Sequence, residues 1–146
     1  LDDPNFSCLF SPEPRFAAGA ALRDHGASAM IDVSDGLAGD AAHIASAGNV
    51  ELAIELHRIP AASAPEGGQL GGEFAAESGE EYELLATLPE AMLGDAVSAV
   101  EATGVKLTPI GRVNRPAASG SGVRFVSPDG AVAELRGFDH FDRGDQ

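Results

Sequence analysis

At 146 residues, 44% of them hydrophobic, the chain is long enough for one domain with a substantial core. Its 23 acidic residues against nine basic ones give a formal charge of −14, which excludes a general nucleic-acid or anionic-membrane binder. No apolar run approaches a membrane span, no signal peptide is evident, and the single cysteine, Cys8, admits neither an internal disulfide nor a cysteine metal site, so the expected setting is cytoplasmic.

Residues 1–14 carry three prolines, Pro4, Pro12 and Pro14, and read as a linker or lead-in. Leu1-Asp2-Asp3-Pro4 does not resemble a natural start, so a preceding domain is expected and residues 15–146 are read as the folded unit. Pro14 suits a first helical turn, where its missing N–H costs little. A helix is predicted over residues 15–25, with Phe16, Ala20, Ala21 and Leu22 on its apolar face and Gly26 ending it. Arg15 opposes the helix dipole at that end, so it is either a solvated side chain or an anion contact.

The most informative stretch is Ala29-Met30-Ile31-Asp32-Val33-Ser34-Asp35-Gly36-Leu37-Ala38-Gly39-Asp40. An apolar run meets small polar and acidic residues, and Leu37, Ala41, Ile44 and Ala45 then recur at helical spacing. This predicts a strand running into a helix over residues 35–47, the kind of junction where α/β folds place ligands. A helix N-terminus ordinarily attracts an anion, but Asp32 and Asp35 would repel a bare phosphate. A divalent cation between carboxylates and phosphate resolves the conflict, and Mg²⁺ suits such hard oxygen donors. The alternative makes Ser34 or Asp35 a helix cap and Asp32 a solvated turn residue. An EF-hand is excluded, since glycine falls fifth from Asp32 and His43 twelfth.

Gly48-Asn49 stops the helix, and residues 50–56 alternate as a strand with Leu52, Ile54 and Leu56 on one face and Glu51 and Glu55 on the other. His57 at its end is read as non-functional. Residues 60–79, rich in Ala, Gly, Pro and Ser, read as a surface connection. Ser78-Gly79-Glu80-Glu81-Tyr82-Glu83-Leu84-Leu85 then sets three glutamates before an apolar strand. These are either the charges of a soluble edge strand or a carboxylate offered to a cationic ligand or metal. Tyr82 and Leu84 are expected on one face, Glu81, Glu83 and Leu85 on the other.

Pro89-Glu90 opens a predicted helix reaching about residue 103, with Met92, Leu93, Ala96, Val97 and Val100 inward and Gly104 closing it. A strand is expected over residues 105–113, with Pro109 demoting it to an edge. Residues 123–126 and 131–135 form a predicted hairpin about Pro128-Asp129-Gly130. Phe138 and Phe141 in the tail are either docked on the core or a flat contact for a ring-shaped ligand. This β-rich, mixed order predicts an α+β fold, a mixed sheet packed with helices in an α/β sandwich.

Five segments in this order resemble the C-terminal domain of the thiamine-monophosphate kinase family, within the superfamily of aminoimidazole ribonucleotide synthetase. They are Ser11-Pro12-Glu13-Pro14-Arg15, the stretch from Ala29 to Asp40, Ser78-Gly79-Glu80-Glu81-Tyr82-Glu83-Leu84-Leu85, Ile110-Gly111-Arg112-Val113 and Gly137-Phe138-Asp139-His140-Phe141. The resemblance implies ATP-dependent phosphorylation of thiamine phosphate to thiamine diphosphate. It implies that Asp32 and Asp35 bind Mg²⁺, Ser34 contacts an ATP phosphate, Glu80 offsets a substrate charge and Phe138 stacks on a substrate ring. No catalytic nucleophile is implied, since phosphoryl transfer is direct and in line.

The chain departs from the family where Glu81 replaces an aspartate and where the connection from Pro60 to Ser78 is short. The family's N-terminal domain, with most of its acidic metal ligands and its homodimer interface, lies outside this sequence. The chain alone is therefore expected to be inactive. A different superfamily enzyme, or a non-catalytic ligand-binding module of the same fold, are the alternatives. The Gly-Glu-Glu-Tyr and Phe-Asp-His-Phe elements favour the kinase over the first.

Overall fold

The computed structural model of the chain describes residues 13–60, 72–77, 82–118, 120–133 and 135. Arg15 precedes helix α1 (Phe16–Asp24), which buries Ala18 and Leu22 and stops where Gly26 takes a φ of 83°. Strand β1 (Ala29–Asp32) leads through a short loop into α2 (Leu37–Gly48), and Asn49 ends that helix in the left-handed conformation, φ 48° and ψ 53°. Strand β2 (Glu51–Glu55) and a 3₁₀ turn (Leu56–Arg58) follow. The predicted alternation holds, because Leu52, Ile54 and Leu56 are buried while Glu51 and Glu55 are half-buried on ion pairs to Arg124 and Arg58.

Part of the expected surface connection is structural. Helix α3 (Gly72–Glu77) lies within it, with Ala75 and Ala76 buried, and alanine is the residue that a close helix contact selects. Strand β3 (Leu84–Thr87) follows, then a 3₁₀ turn (Glu90–Met92) and α4 (Leu93–Glu101). Tyr82 is not in the strand as expected: it sits before it with a φ of 52°, a conformation unusual for an aromatic residue. The strand predicted over residues 105–113 shortens to β4 (Gly111–Asn114), since the loop up to Ile110 contains Pro109, which has no N–H for a ladder. The hairpin is present as β5 (Gly122–Val126) and β6 (Val132–Ala133). At its turn Gly130 N–H donates to Ser127 O at 2.9 Å and Ala131 N–H to Asp129 Oδ1 at 3.0 Å.

Two sheets result. β1 pairs antiparallel with β3, Ala29 facing Thr87 and Asp32 facing Leu84. The other sheet has the order β4-β2-β5-β6 and is mixed, with β2 and β5 parallel and the remaining pairs antiparallel. A main core gathers Leu37, Ala41, Ile44 and Ala45 of α2, Leu52 and Ile54 of β2, and Phe125 of β5. A second core joins Ala18 and Leu22 of α1 to Val100 of α4. β3 serves both, because alternate side chains leave opposite faces of a strand. Leu85 packs on the main core, while Leu84 and Ala86 pack on the second. The fold is an α+β sandwich with a mixed sheet, as expected.

Candidate functional site

β1 delivers the acidic loop to the end of the small sheet. Asp32 is its last residue and is exposed, whereas Ser34 and Asp35 are half-buried. The ladder continues one step past the strands. Val33 N–H donates to Glu83 O at 2.8 Å, and Tyr82 N–H donates to Val33 O at 3.0 Å. The two stretches singled out in the sequence are therefore zipped together, with the loop of residues 32–36 beside the end of the glutamate-rich segment. Glu80 lies outside the described residues, as does Phe138.

The helix does not begin with a side-chain cap. Neither Ser34 nor Asp35 caps α2: its N-cap is Gly36, with φ 90° and ψ 148° and no side-chain cap hydrogen bond. That backbone region is open essentially to glycine alone, which accounts for Gly36 in the motif. The loop is held instead by Asp40, in the first turn of α2. Asp40 is only 2% exposed, and its Oδ2 accepts the N–H of Ser34 at 2.9 Å and of Asp35 at 3.1 Å. A buried carboxylate is costly unless it is hydrogen-bonded, and here two main-chain donors satisfy it. Its negative charge also suits the positive end of the helix dipole.

Asp40 was not singled out in the sequence as a site residue, although a signal existed. It follows Leu37 by three residues and precedes Ile44 by four, so it falls on the apolar face of α2. An aspartate on a buried stripe requires a partner. Asp40 also brings together groups that the sequence left apart. Ligand-type atoms of Asp35, Asp40 and His43 lie within 4.8 Å of one another, with His43 exposed. Asp32 is not a member of that trio.

Arg15 is neither solvated nor left for an external anion. Its Nη2 donates to Glu83 Oε1 at 2.7 Å, and its Nε faces both Glu83 oxygens at 3.2 Å. That hydrogen bond raises the guanidinium pKa above its ordinary value, against a smaller opposing effect of desolvation. The pair ties the start of α1 to the residue whose carbonyl holds Val33. His57 Nε2 lies 3.6 Å from Glu55 Oε2, in a surface group with Arg58.

A groove of about 850 Å³ runs between the sheets, lined by Val33, Leu37, Leu52, Leu85 and residues 104–114, with Arg15, Glu55, Arg58 and Glu83 among its charged residues. Asp32, Ser34 and Asp35 are not among its described lining residues. Val33 and Leu37, on either side of Ser34 and Asp35, do line it.

This fold and loop define a class. The chain belongs to the family described as AIR synthase related protein, C-terminal domain, whose profile matches residues 13–124. Relatives within it share a more particular name. The chain is 37% identical over 134 residues to the thiamine-monophosphate kinase of Salmonella typhimurium, covering 89% of this chain and 40% of that protein. It is 38% identical over 138 residues to the thiamine-monophosphate kinase of Escherichia coli K12, again covering 89% and 40%. Among solved structures it is similar to one described as AaThiL complexed with AMPPCP and TMP, with a TM-score of 0.68 and 30% identity over 89% of this chain and 38% of that one. The chain therefore spans about 40% of the length of the named relatives it matches.

Proposed function

We propose that the chain is the C-terminal domain of an ATP-dependent kinase that converts thiamine phosphate to thiamine diphosphate. One observation carries the reading beyond similarity: Asp32, Ser34 and Asp35 stand on a loop held by Asp40 on one side and, through Val33, by Tyr82 and Glu83 on the other. A loop so constrained presents carboxylates and a hydroxyl at one strand end, the donor set that suits Mg²⁺ rather than a soft metal. The relative complexed with AMPPCP and TMP supports ATP and a thiamine phosphate as the two substrates.

In this reading Asp32 and Asp35 hold Mg²⁺, which when bound neutralises charge on the ATP phosphates. Ser34 donates its hydroxyl to a phosphate oxygen. Glu80 offsets a positive charge on the thiamine moiety, and Phe138 stacks on one of its rings. An oxygen of thiamine phosphate attacks the γ-phosphorus of ATP in line and ADP leaves, so the protein orients the reactants and supplies no covalent nucleophile. Residues 1–14 link this domain to an N-terminal domain that supplies the remaining metal ligands and a homodimer interface. The full-length enzyme works in the cytoplasm, and the 146-residue chain alone gives no turnover. Among the described residues no helix is long and apolar enough to cross a membrane.

The deciding experiment is Asp35→Asn in the full-length protein, assayed for ATP-dependent formation of thiamine diphosphate at varied Mg²⁺. Turnover is expected to vanish while circular dichroism and melting temperature are retained. Unchanged turnover would return the loop to a structural turn. Thiamine diphosphate formation by the isolated chain would overturn the assignment of the missing ligands to another domain.

A further inference from the structure

A phosphate-binding loop usually offers its main-chain N–H groups to the anion. Here the two N–H groups that follow Val33 are already taken. Ser34 and Asp35 both donate to the same oxygen of Asp40, at 2.9 and 3.1 Å, and that carboxylate is buried. It stands on the first turn of α2, anchored by Leu37, Ala41 and Ile44 in the main core. The loop cannot shift without breaking both hydrogen bonds or dragging the helix, and Gly36 at φ 90° supplies the turn between them.

We propose that Asp40 is a positioning residue for the metal–phosphate chemistry of this loop, an inference that rests on the kinase reading above. Its carboxylate occupies the Ser34 and Asp35 N–H groups, so these two donors hold the loop to α2 and are not offered to phosphate. It also fixes the main chain that carries the Asp35 carboxylate and the Ser34 hydroxyl, next to Asp32 at the end of β1. The role is exerted through hydrogen-bond acceptance by one oxygen, a property that asparagine retains and alanine lacks. Partners of this kind typically change metal affinity by about 10- to 100-fold when removed.

The test uses the full-length protein and Mn²⁺ as the probe, read by water-proton relaxation without turnover. Asp40→Ala is expected to weaken Mn²⁺ binding by about 10-fold or more. Asp40→Asn, which keeps an acceptor at the same place, is expected to restore most of it. Hydrogen exchange supplies the second readout: the Ser34 and Asp35 amides are slow in the wild type and in Asp40→Asn, and fast in Asp40→Ala. Wild-type Mn²⁺ affinity in Asp40→Ala overturns the proposal. Equal loss in the Asn and Ala variants also overturns it, since Asp40 would then act through its charge as a ligand. Should Asp40→Ala fail to fold, unprotected Ser34 and Asp35 amides in the wild type, or full loss in Asp40→Asn, are the overturning results. Asp35→Asn measured alongside separates the two levels. If it leaves Mn²⁺ binding unchanged, the kinase reading of the loop fails; if it weakens binding and Asp40→Ala does not, only the positioning role fails.

Discussion

Val33 donates its N–H to the Glu83 carbonyl at 2.8 Å and accepts the Tyr82 N–H at 3.0 Å, fastening the acidic loop to the lead-in of β3. The side chain of the same Glu83 receives Arg15. One residue thus couples the loop, the strand and the start of α1.

That coupling is measurable by a double-mutant cycle with Arg15→Ala and Glu83→Gln. The pair is partly exposed, with Arg15 at 28% and Glu83 at 47% side-chain accessibility, so solvent screening limits it to about 1 kcal/mol. Because Glu83 raises the Arg15 pKa, the contribution is complete below the ordinary arginine value and lost only as pH climbs through the raised one. Urea melts at pH 7 and pH 10 are therefore expected to return the same coupling.

Gly36→Ala tests the turn itself. At φ 90° and ψ 148° a Cβ is strained whatever space surrounds it, and a cost of about 1–3 kcal/mol is expected. If the loop relaxes to relieve that strain, the Ser34 and Asp35 amides lose their protection from exchange along with the stability.

Phe125→Ala removes the largest fully buried side chain among the described residues, 2% exposed and paired across the sheet with Ile54 of β2. A loss of about 3–5 kcal/mol is expected, read from the midpoint of chemical denaturation. The same substitution at Phe16, which is 83% exposed, is expected to stay within about 0.5 kcal/mol.

Two glycines separate strain from space. Gly94 lies in α4 with an ordinary backbone and nothing within 4 Å of where a Cβ would stand, so Gly94→Ala is expected to stabilise by about 0.4–1 kcal/mol. A Cβ at Gly111 would run into the Ala53 carbonyl oxygen across the β2–β4 pair. Gly111→Ala is expected to destabilise by about 1–3 kcal/mol, the range for overpacking, with faster amide exchange along β4.

The local chain chemistry of this protein was legible in its sequence. Alternation placed Leu52, Ile54 and Leu56 inward, helical spacing placed Ala41, Ile44 and Ala45 on the core, and Pro128-Asp129-Gly130 announced its hairpin, because each signal depends on near neighbours. The same locality failed at residues 105–109, where the expected strand is a loop containing Pro109, and at α3, whose alanines read as linker until a core lay beneath them.

By itself the sequence determined that acidic and hydroxyl side chains would meet at a strand-to-helix junction, since Asp32, Ser34 and Asp35 are near neighbours in the chain. Only the tertiary structure decided what holds them there. The pairing of Val33 with Glu83 joins residues far apart in the chain, and the burial of Asp40 depends on the core under α2. A buried carboxylate has few ways to be satisfied, and here it takes the N–H groups of Ser34 and Asp35.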